Sequence, residues 1–141
     1  MNVLNLRVPV QVKIILTEDT KAQITGEINQ AIQGIQRELD QIDFQSRKAL
    51  QDAEKNGPQA MNAVQGRINQ EVGMRMERRE QMMQQLVQIQ QSPIGSEIPG
   101  GQIDTNVEVR VGDVWEDVIH GTEIVLRDGM VVEIRRAGDH A

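Results

Sequence analysis

Between Thr20 and Gln91 the apolar residues recur at steps of three and four, and that rhythm breaks once, at Asn56-Gly57-Pro58. No other feature of the chain limits its fold so tightly. The first series runs through Ile24, Ile28, Ile32, Ile35, Leu39, Ile42, Ser46, Ala49 and Ala53. The second runs through Met61, Val64, Ile68, Val72, Met76, Met83, Leu86 and Ile89, with Arg79 interrupting it. Such spacing lays each series along one stripe of a helix, as in a coiled-coil seam. Gly57 can take the left-handed conformation past a helix end, and Pro58 suits the first turn of the next helix.

If the chain reverses at Gly57, residues whose numbers sum to about 114 face each other. Leu50 then meets Val64, Ser46 meets Ile68, Ile42 meets Val72 and Ile28 meets Leu86, with Leu39 beside Met76. Apolar positions oppose apolar positions almost throughout, which predicts an antiparallel hairpin with arms of about 50 Å. Arg79 is expected near Ile35, within reach of Glu38.

The flanks follow a different period. In Leu6–Leu16, Val8, Val10, Val12, Ile14 and Leu16 alternate with Arg7, Pro9, Gln11 and Lys13, as a strand with one buried face requires. Pro9 cannot donate to a ladder and demands an edge position or a bend. Thr17-Glu18-Asp19-Thr20 supplies a helix start, with Thr17 or Asp19 as cap. After Ser92-Pro93-Ile94-Gly95 stops the second helix, Pro99-Gly100-Gly101 reads as a loop. Val107, Val109 and Val111 then form a strand, Val114 to Ile119 a second, and Glu123–Arg127 with Met130–Arg135 a hairpin closed by Asp128-Gly129. About five short strands predict a small β-barrel or a curled antiparallel sheet.

Composition agrees with a coiled coil. Phe44 and Trp115 are the only aromatic residues among 141, whereas a compact core commonly uses several. Trp115 is expected in the core. Cysteine is absent, which removes disulfides and thiolate metal sites and fits a reducing cytoplasm. No apolar run reaches the roughly 18 residues of a membrane span, and no signal peptide is expected at the N-terminus. The formal net charge of −6 disfavours broad binding to nucleic acid or anionic lipid.

Several stretches together resemble the YlqD family of bacterial proteins. They are Val12-Lys13-Ile14-Ile15-Leu16-Thr17-Glu18, Pro93-Ile94-Gly95-Ser96-Glu97-Ile98, Val109-Arg110-Val111-Gly112-Asp113-Val114-Trp115-Glu116, and Glu123 to Gly129 followed by Val132 to Arg135. The resemblance covers both ends of the chain and the order strand, helical hairpin, strands. It carries no catalytic residue onto any position. In some bacteria, members are encoded beside ribosome-maturation factors, which keeps an RNA- or ribosome-associated role among the readings.

Chemistry-bearing constellations are thin. His120 and His140 are the only histidines, and His140 lies in a tail, 137–141, expected to be disordered. His120 beside Glu116 and Asp117 matches no ligand spacing, and a general base needs a pocket. No glycine-rich loop leads into a helix. An enzyme, a metal and a cofactor are therefore not expected. From Ser92 onward ten carboxylates stand against four arginines, so any nucleic-acid contact would fall to Arg75, Arg78 and Arg79 on the second helix. Phe44 falls outside the seam phase, beside Asp40, Arg47 and Lys48, as a contact residue for a partner would. Asp52 and Glu54 at the hairpin tip look like the acidic tips that transcript-cleavage factors carry into a polymerase. Met74, Met76, Met82 and Met83 would suit an adaptable surface, with Met76 and Met83 in the seam.

The expected fold is α+β. A small β domain (1–17 and 92–136) is built from both chain ends, and a helical hairpin (18–91, turning at 56–58) projects from it. The expected function is a non-enzymatic cytoplasmic scaffold or adaptor that binds protein partners, or itself, through arm and β domain. The alternatives are an RNA- or ribosome-associated factor and a prefoldin-like chaperone clamp.

Overall fold

The computed structural model describes residues 2–136. The expected disordered tail and His140 lie outside the described residues. The order of elements is β1 (Val3–Ile15), α1 (Glu18–Glu54), α2 (Pro58–Gln91), β2 (Glu97–Arg110), α3 (Trp115–His120), β3 (Thr122–Arg127) and β4 (Met130–Arg136). The chain divides into two units, one of Met1–Lys21 with Ser92–Ala141 and one of Ala22–Gln91. The fold is α+β, with two long helices packed on each other and a four-stranded sheet.

The helical unit follows the predicted register. Arg75 Nε lies 3.2 Å from Glu38 Oε2, and Arg79 Nη1 donates to Gln36 Oε1 at 2.7 Å. Ile42, Ser46 and Ala49 line a groove with Val64 and Ile68. All these pairings keep the sum near 114. Ile35 and Ala53 are buried on α1. At the tip, Lys55-Asn56 forms the turn and Gly57 after it has φ 97°, a left-handed value that glycine takes at no steric cost.

The seam of α2 differs from the apolar-only reading. Met76 and Met83 are 48% and 46% exposed, while Val72, Arg75, Arg79, Met82, Leu86 and Ile89 are half-buried. Steps of three and four now alternate along the helix, because two arginines occupy seam positions. Their stems cover apolar surface while their heads reach polar partners on α1. Arg79 bonds Gln36, and Glu38 belongs to Arg75 instead. On α1 the seam likewise passes through half-buried Leu50, and Ala49 is exposed.

In the β unit the strand order is β2-β1-β3-β4. β1 pairs antiparallel with β2 from Val3↔Arg110 to Ile15↔Glu97, and parallel with β3 over Gln11↔Glu123 to Ile14↔Leu126. The sheet is therefore mixed and open, where a barrel or a purely antiparallel sheet was expected. Pro9 lies outside the β3 pairing, where β1 has a single neighbour, so its missing N–H costs no ladder bond on the free side. Val8, Val10 and Leu16 are buried as the alternation predicts, and Val125 is fully buried.

Two expectations in this unit fail for identifiable reasons. Pro99-Gly100-Gly101 is part of β2. Lys13 pairs with Pro99 and Gln11 with Gln102, so β2 carries one extra residue, a bulge. Gly101 has φ 100°, and a Cβ on Gly100 would stand 2.7 Å from Ile14 Cγ1. The glycines thus permit a bend and a close approach within a strand. Val114 to Ile119 is also no strand. Its apolar residues Val114, Trp115, Val118 and Ile119 recur four apart, a helical spacing, and Trp115–His120 is a short helix that packs on β1 with Val118 and Ile119 half-buried.

The β3–β4 hairpin forms as predicted. Leu126 pairs with Val131 and Arg127 with Met130, leaving Asp128 (φ 48°) and Gly129 (φ 80°) as the turn. Asp128 Oδ1 accepts from Thr17 Oγ1 at 2.6 Å and from Thr20 Oγ1 at 3.2 Å. Thr17 Oγ1 also accepts the Thr20 backbone N–H at 3.1 Å, so the residue that caps α1 fastens the hairpin turn to the same helix end.

Candidate interaction surfaces

The candidate residues of the arm do not converge on one place. Phe44 is 76% exposed on α1, next to the Asp43–Arg47 ion pair of 3.0 Å. Asp52 and Glu54 are exposed at the end of α1. Arg75 and Arg79 turn into the seam, while Arg78 is exposed, so the three arginines form no continuous basic patch.

The second aromatic residue changes role. Trp115 is 55% exposed, and Val111 (84%) and Val114 (61%) beside it are exposed too. The turn between β2 and α3 puts them there. Asp113 Oδ2 accepts the Arg110 N–H at 2.8 Å, Asp113 N–H donates back to the Arg110 carbonyl at 3.1 Å, and Gly112 has φ 102°. A short helix begins at once, and its first residue, Trp115, is left facing solvent. Tryptophan commonly goes inside, which hid this patch from the sequence reading. The adjoining Gly112-Asp113 turn signal was the clue to it.

His120 Nε2 lies 3.8 Å from Glu116 Oε2 on α3, both mostly exposed. Among the described residues no three His, Cys, Asp or Glu side chains stand close enough to hold a metal ion. The densest ionic cluster surrounds Arg135. Its Nη1 donates to Glu97 Oε2 at 2.9 Å, its Nη2 bonds the other oxygen of the same carboxylate, and its Nε lies 3.2 Å from Glu133 Oε1. Glu123 Oε2 is 3.6 Å away. Hydrogen bonding from Arg135 holds the Glu97 carboxyl below its ordinary range, and the carboxylates raise the Arg135 guanidinium above its own.

Glu97 and Arg135 sit on β2 and β4, the two outer strands. Strands lie about 4.8 Å apart, so three intervals of a flat sheet put these edges about 14 Å apart. The sheet curls enough for one bidentate arginine to bridge them. This cluster is a latch across an open sheet, and its ligand needs are met internally.

No helix among the described residues is long and apolar enough to cross a membrane. A crystal structure of a protein of unknown function from Synechococcus sp. WH 8102 shares the fold, with a TM-score of 0.86, 20% identity and 95% of each chain covered. A Bacillus subtilis (strain 168) protein, described as uncharacterized protein YlqD, is 28% identical over 131 residues, covering 90% of this chain and 94% of its own. The YlqD protein family model matches residues 4–135, nearly the whole chain, and the protein belongs to the YlqD family.

Proposed function

We propose that this protein is a non-enzymatic adaptor of the cytoplasm that binds proteins separately through its helical arm and its β unit. One observation carries the reading. The chain has two aromatic side chains, one in each unit, and both are exposed: Phe44 at 76% and Trp115 at 55%. Full burial of such a side chain is worth about 1.5–3 kcal/mol, and here much of that remains available for binding. Tryptophan in particular is enriched where binding energy concentrates. The RNA-associated alternative has less support, since Arg75 and Arg79 are engaged across the hairpin.

The test is affinity purification of the tagged full chain from cells beside Phe44→Ala and Trp115→Ala. The adaptor reading expects at least two co-purifying proteins, one lost with each substitution and the other retained. Recovery of the same proteins at the same yield from all three overturns it.

A further inference from the structure

Three edges are free and they differ: β2, β4, and β1 over Val3–Val10, which Pro9 interrupts. β4 pairs with β3 across a register shift beside Val125 and Leu126, so its backbone is kinked there. β2 is regular from Gln102 to Arg110. Edge strands are ordinarily protected by charged side chains, proline, bulges or brevity; this stretch has no proline and no bulge, and its charges, Asp104, Glu108 and Arg110, are of both signs. β3 covers only Gln11 to Ile14 of β1, so Val3–Val10 and Ile103–Arg110 continue beyond it as a two-stranded ribbon, an arrangement marginal by itself. Leu4 (62%) and Ile103 (53%) are exposed on this ribbon, and Val111 (84%) just past it.

We propose that two copies of the chain pair β2 to β2, antiparallel, about a twofold axis at Val107. A symmetric pairing can centre on few residues, and charge separates them. Centred on Asn106, it sets Asp104 against Glu108 of the second copy. Centred on Glu108, it sets that carboxylate against itself. Centring on Thr105 runs the overlap into the Gly100-Gly101 bulge, and centring on Val109 runs it into the turn at Gly112. Centring on Val107 places Asp104 opposite Arg110 of the second copy and Thr105 opposite Val109, and the overlap ends before the Gly100-Gly101 bulge at one side and the turn at Val111-Gly112 at the other.

The existing ion pairs extend this match. Arg7 lies 3.3 Å from Asp104 and Arg110 lies 3.0 Å from Glu108, all with exposed side chains. Pairing the strands joins them into a ladder of alternating sign, from Arg7 and Asp104 to Arg110 and Glu108 of the second copy. The free backbone groups of β2 gain partners along Asp104 to Arg110. The inference does not depend on the adaptor reading, because Phe44 and Trp115 take no part in it.

The absence of cysteine gives a clean test. Light scattering on the full chain should give about twice the single-chain mass of 15.8 kDa, and Ile103→Lys should weaken the dimer at least about tenfold. Mild oxidation should cross-link Val107→Cys to itself, because directly opposed residues fall within disulfide reach. Asn106→Cys and Val131→Cys should stay uncross-linked. A chain that remains monomeric up to about 1 mM overturns the proposal, as does a dimer joined through Asn106→Cys or Val131→Cys and not through Val107→Cys.

Discussion

In the helical unit, most hydrogen bonds join residues four apart, and only the side chains of the seam see the other helix. In the β unit, Val3 pairs with Arg110 and Gln11 with Glu123, so apart from the β3–β4 hairpin its pairing joins distant parts of the chain. The arm tolerates irregularity: two arginines stand in its seam and the helices continue. The sheet confines its irregularities to single places, a bulge in β2 and a register shift in the β3–β4 pair. At the first of them Gly100 has no room for a Cβ beside Ile14. Local bonding lets a sequence spread its requirements over many residues, and non-local pairing concentrates them on a few.

Substitutions should expose this contrast, and the largest effect should come from Ile35→Asp. Ile35 is 3% exposed in the seam, and an unpaired charge there should cost the arm about 4 kcal/mol or more. Circular dichroism should show helix melting early, while amide exchange in β1 and β3 stays protected. Loss of that protection would mean the two units unfold as one.

Gly100→Ala should act on the sheet alone and by less, about 1–3 kcal/mol, because Ile14 must move to admit the methyl group. Denaturant titration followed at Trp115 should shift, with the helical transition unmoved. An unshifted sheet transition would show the bulge to be pliable.

The smallest effect should come from acid. The folded-state pKa of Glu97 is depressed, so its contribution is complete above the unfolded value, near 4.5. It is lost as pH falls through the folded value. Both partners of the latch are partly exposed, which keeps the effect small. Thermal melts of Glu97→Gln should therefore be less stable than wild type at neutral pH and converge with it as pH falls through the depressed folded value. A constant difference at every pH would show that the ion pair contributes nothing.

The same contrast explains how much could be read in advance. The arm was legible because its period, its break and its facing register are written in consecutive residues. So was the β3–β4 hairpin, since Asp128-Gly129 is a local signal. The pairing of β1 with β3 was not, because nothing in either strand states that they run parallel. Gly100 reads as punctuation until Ile14 is set beside it. Trp115 was assigned to the core from residue type, although its position is decided by the Gly112-Asp113 turn before it. Of the candidate residues, Phe44 was placed outside the seam by phase alone. The arginines needed coordinates, because long side chains at neighbouring positions can choose different partners.

The chain order of β1 and β2 also bears on synthesis. Ile15 must wait for Glu97, about 80 residues later, or roughly 4–16 s at the ordinary pace of translation. During that interval the arm can close by itself, but β1 has emerged with both edges bare. Val8-Pro9-Val10 then has a second use. A proline at the centre of a valine-rich strand, between Arg7 and Lys13, interrupts the run that nascent chains would use to aggregate. In the finished sheet Pro9 costs little, since β1 has only one neighbour there. On the ribosome it guards a strand whose partners have not yet been made.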